Sequence, residues 1–284
     1  MRKHPLKHPA LAVAFALWVG VSHAPLAFAQ TAVFQNGTAA PFGGGYYTGA
    51  QDTMILTNSG GQQNLNFGGR TDFDVGTFNG SGTARHTLIR FDLTSLAGQF
   101  STITGVTLRL TFSDTLVSFN VSTSNTVEVH QVAAANAGWV EGNGSSTAGT
   151  GGQSTWDFLN QWPNNPWAGS GGASTPGTDF LAATVASTPW SGAPPVGTTF
   201  DLVFTDTSFL SSWISGTNSG LFLKDATENV TAENRVNFYS SEFGTVAFRP
   251  ELIVTYTAIP EPSSLALLAG LGVLSGRFFL RRKR

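Results

Sequence analysis

The sequence predicts an all-β fold of two antiparallel sheets packed face to face. Three observations lead there. Apolar and polar residues alternate through most of the chain, and helical periodicity is almost absent. Gly is abundant, at 33 of 284 residues, and only 11% of residues are charged, which suits short strands joined by glycine turns. Each strand pattern carries one apolar face, the arrangement of a sandwich core.

Taken in order, the first 29 residues have the layout of a secretory signal, with an expected helix. Arg2, Lys3 and Lys7 form the charged start, Ala10 to Val21 the apolar core, and Ala27-Phe28-Ala29 a small-x-small cleavage site. An uncleaved anchor is the alternative, although the core is short for one. Cleavage would start the mature chain at Gln30.

The expected domain spans 30–258. Its strand patterns start near Asp52, Arg70, His86, Val106, Thr126, Thr199, Gly220, Arg235 and Pro250. In the third, Leu88, Arg90 and Asp92 share one face, and Ile89, Phe91 and Leu93 the other. Val106, Leu108, Leu110 and Phe112 form a half-buried strand face. Phe209 with Trp213, and Leu210 with Ile214, sit four apart, which fits one short helix. Residues 141–195 turn polar and read as a long loop region over one end of the sandwich.

The last stretch has three parts. Pro260-Glu261-Pro262 is stiff and non-helical. Leu265 to Leu280 is apolar apart from Ser275 and Arg277, and Arg281-Arg282-Lys283-Arg284 follows. A transmembrane helix over 265–280 would be roughly 24 Å long, short against a hydrocarbon core of about 30 Å. The basic end belongs in the cytoplasm, which puts the preceding domain across the membrane. The competing reading is a C-terminal helix buried in the main domain.

Pro-Glu-Pro, a short apolar span and an Arg-rich end in this order resemble the PEP-CTERM sorting signal of Gram-negative bacteria, over 259–284. The resemblance implies recognition of Pro260, Glu261 and Pro262 by an exosortase-type membrane enzyme. It also implies a transient stay in the inner membrane, then release or anchoring at the cell surface or matrix.

Charge is unevenly spread. Of 15 Lys+Arg, three lie in the signal and five in the tail. That leaves 7 against 16 of the 17 acidic residues, a net charge of −9 for the middle. An acidic domain disfavours nucleic acid as a partner and favours solubility outside the cell. Cysteine is absent, so an exported chain must rely on its core.

A second resemblance rests on segment order: Asp52-Thr, Leu88-Ile-Arg-Phe-Asp-Leu, Ile103-Thr-Gly-Val-Thr-Leu-Arg-Leu, Val127-Glu-Val-His-Gln-Val, Trp139-Val-Glu, Phe209 to Trp213 leading to Gly220-Leu-Phe-Leu, Phe238-Tyr-Ser-Ser-Glu, and Arg249-Pro-Glu-Leu-Ile-Val-Thr-Tyr. It is similar to the DNRLRE domain of extracellular bacterial proteins. That similarity implies a jelly-roll-like sandwich, related in architecture to carbohydrate-binding modules; pattern alone leaves jelly roll and immunoglobulin topology open.

Candidate chemistry is sparse. No Gly-x-Ser-x-Gly, His-Glu-x-x-His or cysteine nucleophile is present. His86 and His130 sit in strand patterns and read as satisfied strand histidines. Asp72 and Asp74, with Asp52, are candidates for calcium; they also read as solvated polar positions, or as the carboxylate pair of a hydrolase. Trp156, Trp162, Trp167 and Trp190 lie in the polar region. They either pack that region into a core of its own or offer flat faces to sugar rings. Trp139 and Trp213 read as core. The expected protein is therefore exported and non-enzymatic, a structural or adhesive component associated with exopolysaccharide. The alternatives are a carbohydrate-binding module and a polysaccharide hydrolase.

Overall fold

The computed structural model of the chain describes residues 28–57, 61–78, 83–113, 125–192, 194–228 and 233–259. Among them run β1 (Ala29–Phe34), β2 (Ala50–Leu56), β3 (Leu65–Asn66), β4 (Asp72–Thr77), β5 (Ala84–Phe91), β6 (Phe100–Thr111), β7 (Asn125–Val132) and β8 (Thr147–Ala148). They continue as β9 (Phe158–Asn160), β10 (Asn165–Pro166), β11 (Phe180–Trp190), β12 (Thr199–Val203), β13 (Leu221–Asp225), β14 (Asn234–Tyr239) and β15 (Glu251–Ala258). One short helix, α1 (Leu210–Ile214), lies where the apolar four-residue spacing placed it.

The strands form an all-β fold. One sheet has the order β1-β15-β6-β12; the other runs β11-β7-β13-β5-β4-β14, with β2 paired to β5. The ladders of both sheets are antiparallel. Alternation explains how they meet. Val106, Leu108 and Leu110 of β6 point into one core with Leu252 and Val254 of β15. Across it lie Ile89, Phe91, Val127, Val129, Leu221 and Leu223 of the larger sheet. Phe112 and Phe200 from the smaller sheet's side meet Phe238 of β14 at ring-centroid distances of 5.1 and 5.5 Å, closing the seam between the sheets. Each such fully buried side chain contributes about 1.5–3 kcal/mol of transfer free energy.

The larger sheet is buried on both faces. Leu88 and Phe222 alternate with the inward residues and are 0% exposed. They face a second core with Ile55, Val132, Trp139, Trp167, Ala173 and Phe180. The segment from Trp139 to Phe180 supplies that second layer. The polar stretch 141–195 is thus more than loop: it holds β8, β9, β10 and the eleven-residue β11, which pairs with β7 at the end of the sheet. Its small residues and Pro189 hide the strand signal. A proline is tolerated there because a strand at a sheet's end need not donate on both sides.

Both terminal strands of the domain leave together. β1 pairs antiparallel with β15, and Ala29 is opposite Thr257. The expected cleavage site and the expected sorting tail therefore flank the same end of the smaller sheet. The signal helix expected in 1–29 falls, up to residue 27, outside the described residues, and Ala29 itself opens β1. The transmembrane helix expected at 265–280 also lies outside them, as do Pro260, Glu261, Pro262, Arg281, Arg282, Lys283 and Arg284. Among the described residues no helix is long and apolar enough to cross a membrane.

Candidate functional site

Three carboxylates from distant parts of the chain converge. Asp52 comes from β2, Glu141 from the segment after Trp139, and Glu242 from the turn after β14. One ligand oxygen from each lies within 4.8 Å of the others. Local chemistry holds each one. The Asp52 N–H donates to Oε1 of Glu141 at 2.6 Å. The Ser241 N–H donates to Oδ2 of Asp52 at 2.8 Å, and the Ser241 hydroxyl to Oε1 of Glu242 at 2.8 Å.

Glu141 is fixed from behind by Asn66, which is 0% exposed. The Asn66 amide donates to the carbonyls of Glu141 and Ser154 at 2.7 and 3.0 Å. Its oxygen accepts from the Gly144 N–H at 2.8 Å. Gly68 is required for this approach, since a Cβ there would stand 2.1 Å from the Glu141 carbonyl oxygen.

Asp52 is only 2% exposed. Burial, and then the Glu242 charge, push its carboxyl up to about 8 against the Ser241 donors. Burial, and then the charges of Asp52 and Glu242, push Glu141 up to about 9. Burial also raises Glu242. Three carboxyls in one shielded place cannot all ionise at little cost.

A polar cleft of about 390 Å³ lies beside the cluster, lined in part by Thr48, Gln51, Arg90, Asp92, Thr94 and Asn218. β2 links the two places, because Asp52 enters the cluster and its neighbour Gln51 lines the cleft. Arg90 is held there by its Nε–H donating to Gln51 at 2.6 Å, and its guanidinium lies 4.4 Å over the Trp139 ring.

The structure does not bring Asp72 and Asp74 to Asp52's cluster, which corrects the calcium trio Asp72, Asp74 and Asp52. Asp74 is 1% exposed and is taken by Arg85, by Arg235 at 2.8 Å and by the Asn237 amide. Asp72 accepts from Arg70 at 2.7 Å. The reason is cross-strand: β4 pairs with β5 and β14, whose arginines flank it. A catalytic carboxylate pair at Asp72 and Asp74 meets the same obstacle, since both are engaged by cations.

The tryptophans divide. Trp167 and Trp190 are 3% and 7% exposed and belong to the two cores. Trp167 donates its N–H to the Trp156 carbonyl at 2.9 Å. Trp156 is partly buried and stacks on His86, ring centroids 5.1 Å apart. Trp162 is 62% exposed, so of the four it alone offers an open face. Trp139 and Trp213 are 1% and 3% exposed.

Both histidines are held inside. His86 faces the Gly172 carbonyl through Nδ1 and Glu228 through Nε2, each at 2.7 Å. His130 faces the Leu181 carbonyl through Nδ1 at 3.0 Å.

Sequence reasoning missed Glu141 and Glu242 as partners of Asp52, and Asp179 altogether. The Asp179 carboxylate is 0% exposed and accepts from the N–H groups of Gly169, Ser170 and Thr175 and from the Asn136 amide, at 2.7–3.0 Å. Burial works to raise its carboxyl, but these donors outweigh burial and hold it below its ordinary value. Gly-Ser ahead of an Asp within a short loop was the available hint, since such carboxylates gather loop N–H groups.

No curated protein matches the chain. Residues 258–284 match the PEP-CTERM protein-sorting motif, which starts on the last residue of β15. The chain therefore carries a PEP-CTERM sorting signal, the mark of an exported protein sorted by exosortase at the membrane.

Proposed function

We propose that this chain is a non-enzymatic component of the cell surface or extracellular matrix of a Gram-negative bacterium. In this reading an exosortase-type enzyme processes the tail, and the β-sandwich is structural or adhesive cargo associated with exopolysaccharide. The observation that carries it is positional: the sorting motif begins at Ala258, where the last sandwich strand ends. Among the described residues the last strand ends at Ala258, and the first strand lies against it. The resemblance to DNRLRE domains of extracellular bacterial proteins supports the extracellular setting.

The polar cleft favours a second, narrower reading, a carbohydrate-binding module. Carboxylate, amide and guanidinium groups at Asp92, Asn218, Gln51 and Arg90 suit sugar hydroxyls. Co-sedimentation of the purified protein with exopolysaccharide tests both readings. Binding that falls about tenfold in Asp92→Ala supports the cleft. Binding unchanged in Asp92→Ala but lost in Trp162→Ala moves the contact to the loops. Release of shortened saccharides by the protein sinks the non-enzymatic reading.

A further inference from the structure

We propose that Thr227 and Asn125 join covalently: the Thr227 hydroxyl oxygen displaces the Asn125 side-chain nitrogen as ammonia, leaving an ester that staples the end of β13 to β7. Three side chains meet at one end of the larger sheet. Asn125 opens β7, Asp225 closes β13, and Thr227 stands in the exposed turn that follows. The two strands are neighbours, with Asp225 opposite Val127. Oγ1 of Thr227 lies 2.6 Å from Oδ1 of Asn125 and 2.8 Å from Oδ1 of Asp225. One hydroxyl has one proton to give, and the carboxylate is the stronger acceptor. With that proton on Asp225, the lone pairs of Oγ1 are left against the Asn125 amide.

Two further atoms favour a reaction over a resting hydrogen-bond network. Asn125 and Asp225 are 4% and 0% exposed. Among the described residues, Nδ2 of Asn125 and Oδ2 of Asp225 are sealed from solvent and have no hydrogen-bond partner. Buried polar atoms are nearly always satisfied, so two orphans in one small network need a cause. Both belong to groups that the reaction changes. Nδ2 is the leaving nitrogen, and its departure removes the orphan. Oδ2 belongs to the carboxyl that carries the proton. The step balances within the chain. Oγ1 attacks Cγ of Asn125 while Asp225 takes the hydroxyl proton. The Cγ–Nδ2 bond then breaks, and Asp225 passes the proton to the departing nitrogen. One ammonia leaves, and no oxidant, cofactor or water is consumed.

The fold holds the parts in place. The Thr227 N–H donates to Oδ1 of Asp225 at 2.7 Å, and the Ala226 N–H donates to the Thr126 carbonyl at 2.9 Å. The turn is thus pinned beside Asn125, and contact takes the place of a high reactant concentration. Burial raises the Asp225 carboxyl against the Thr227 donors, which makes it a better base. Burial of Asn125 shields the ester carbonyl from water. The link would span 102 residues of sequence. Long closures gain most from a cross-link, and a chain without cysteine has no disulfide to provide one.

The test is mass spectrometry of the purified full-length chain, intact and after protease digestion. The proposal expects a loss of about 17 Da, the mass of one ammonia. It also expects one branched peptide joining the Asn125 and Thr227 segments, which hydroxylamine splits. The branched peptide is decisive, because cyclisation of an N-terminal Gln30 sheds the same mass. Thr227→Ser should keep the link. Thr227→Val should lose it, with Tm lower by about 5 °C or more, and Asp225→Asn should reduce the linked fraction at least tenfold. A parent chain that yields only linear peptides for the two segments would overturn the proposal. So would a link formed at parental yield in Thr227→Val or Asp225→Asn. The parent chain alone decides the first outcome, so the test survives a variant that fails to fold.

Discussion

The backbone N–H of Asp52 lies 2.6 Å from Oε1 of Glu141, across 89 positions of sequence. The contact ties the first strand of the larger sheet to the segment that covers its outer face. It also buries two carboxyls beside a third, and that has a measurable consequence.

Chelated protein should lose stability as pH rises. In the unfolded chain Asp52 and Glu141 ionise near their ordinary values of 3.8 and 4.5; in the fold they hold protons to about 8 and 9. The folded state binds more protons between those limits, so stability is full below about pH 4 and drains away as pH climbs through 8 to 9. Melting in EDTA from pH 5 to 9 should show Tm falling by at least about 5 °C. Glu141→Gln should flatten the slope; a Tm that rises across this range would contradict the burial account.

Gly68→Ala should loosen the same contact without touching a charge. The added Cβ would meet the Glu141 carbonyl oxygen at 2.1 Å, and backbone cannot yield as a flexible side chain does. A loss of roughly 2–4 kcal/mol is expected in denaturant melts. A cost under about 0.5 kcal/mol would show that the covering segment is not pinned there.

Asp179→Ala should unfasten the loop before β11. Four donors would lose one buried acceptor, a cost of about 3–5 kcal/mol by loss of a buried charged partner. The sign with pH is opposite to that of the acidic cluster. Asp179 is held below its ordinary value of 3.8, so its contribution is present above about pH 4 and lost as pH falls through the lower folded value. Parent and variant should therefore converge in acid, as read from melts between pH 2 and 7.

Trp167→Ala and Trp162→Ala should separate packing from recognition. Trp167 is 3% exposed in the second core, and its removal should cost about 3–5 kcal/mol. Trp162 is 62% exposed, and its loss should stay within about 0.5 kcal/mol in thermal or chemical melts.

These contrasts show where the sequence was legible. Alternation located β2, β4, β5, β6, β7, β12, β13, β14 and β15, because each carries an apolar face such as Val106, Leu108 and Leu110. It failed for β11, whose Leu181-Ala-Ala-Thr has little apolar mass to alternate. It put Leu88 on a face with Arg90 and Asp92, yet Leu88 is wholly buried under the covering segment together with Phe222. Asp52 was legible as a strand carboxylate, but Glu141 and Glu242 reach it through a loop and a turn, and spacing along a chain carries no such information. Asp74 shows the reverse: its arginine partners sit on neighbouring strands, and only the register reveals them. The tail needed no fold at all, since a stiff Pro-Glu-Pro, an apolar span and a basic end act as a linear label.

The central claim is that the end of the chain is an address and the sandwich is what it delivers. Mass spectrometry of both mature ends, on fractions from cells with and without exosortase, tests it most directly. The account predicts an outer or extracellular form that starts at Gln30 and lacks Arg281 to Arg284. Without exosortase it predicts a membrane-bound form that keeps them. An intact C-terminus in the cytosolic fraction of exosortase-positive cells would contradict it.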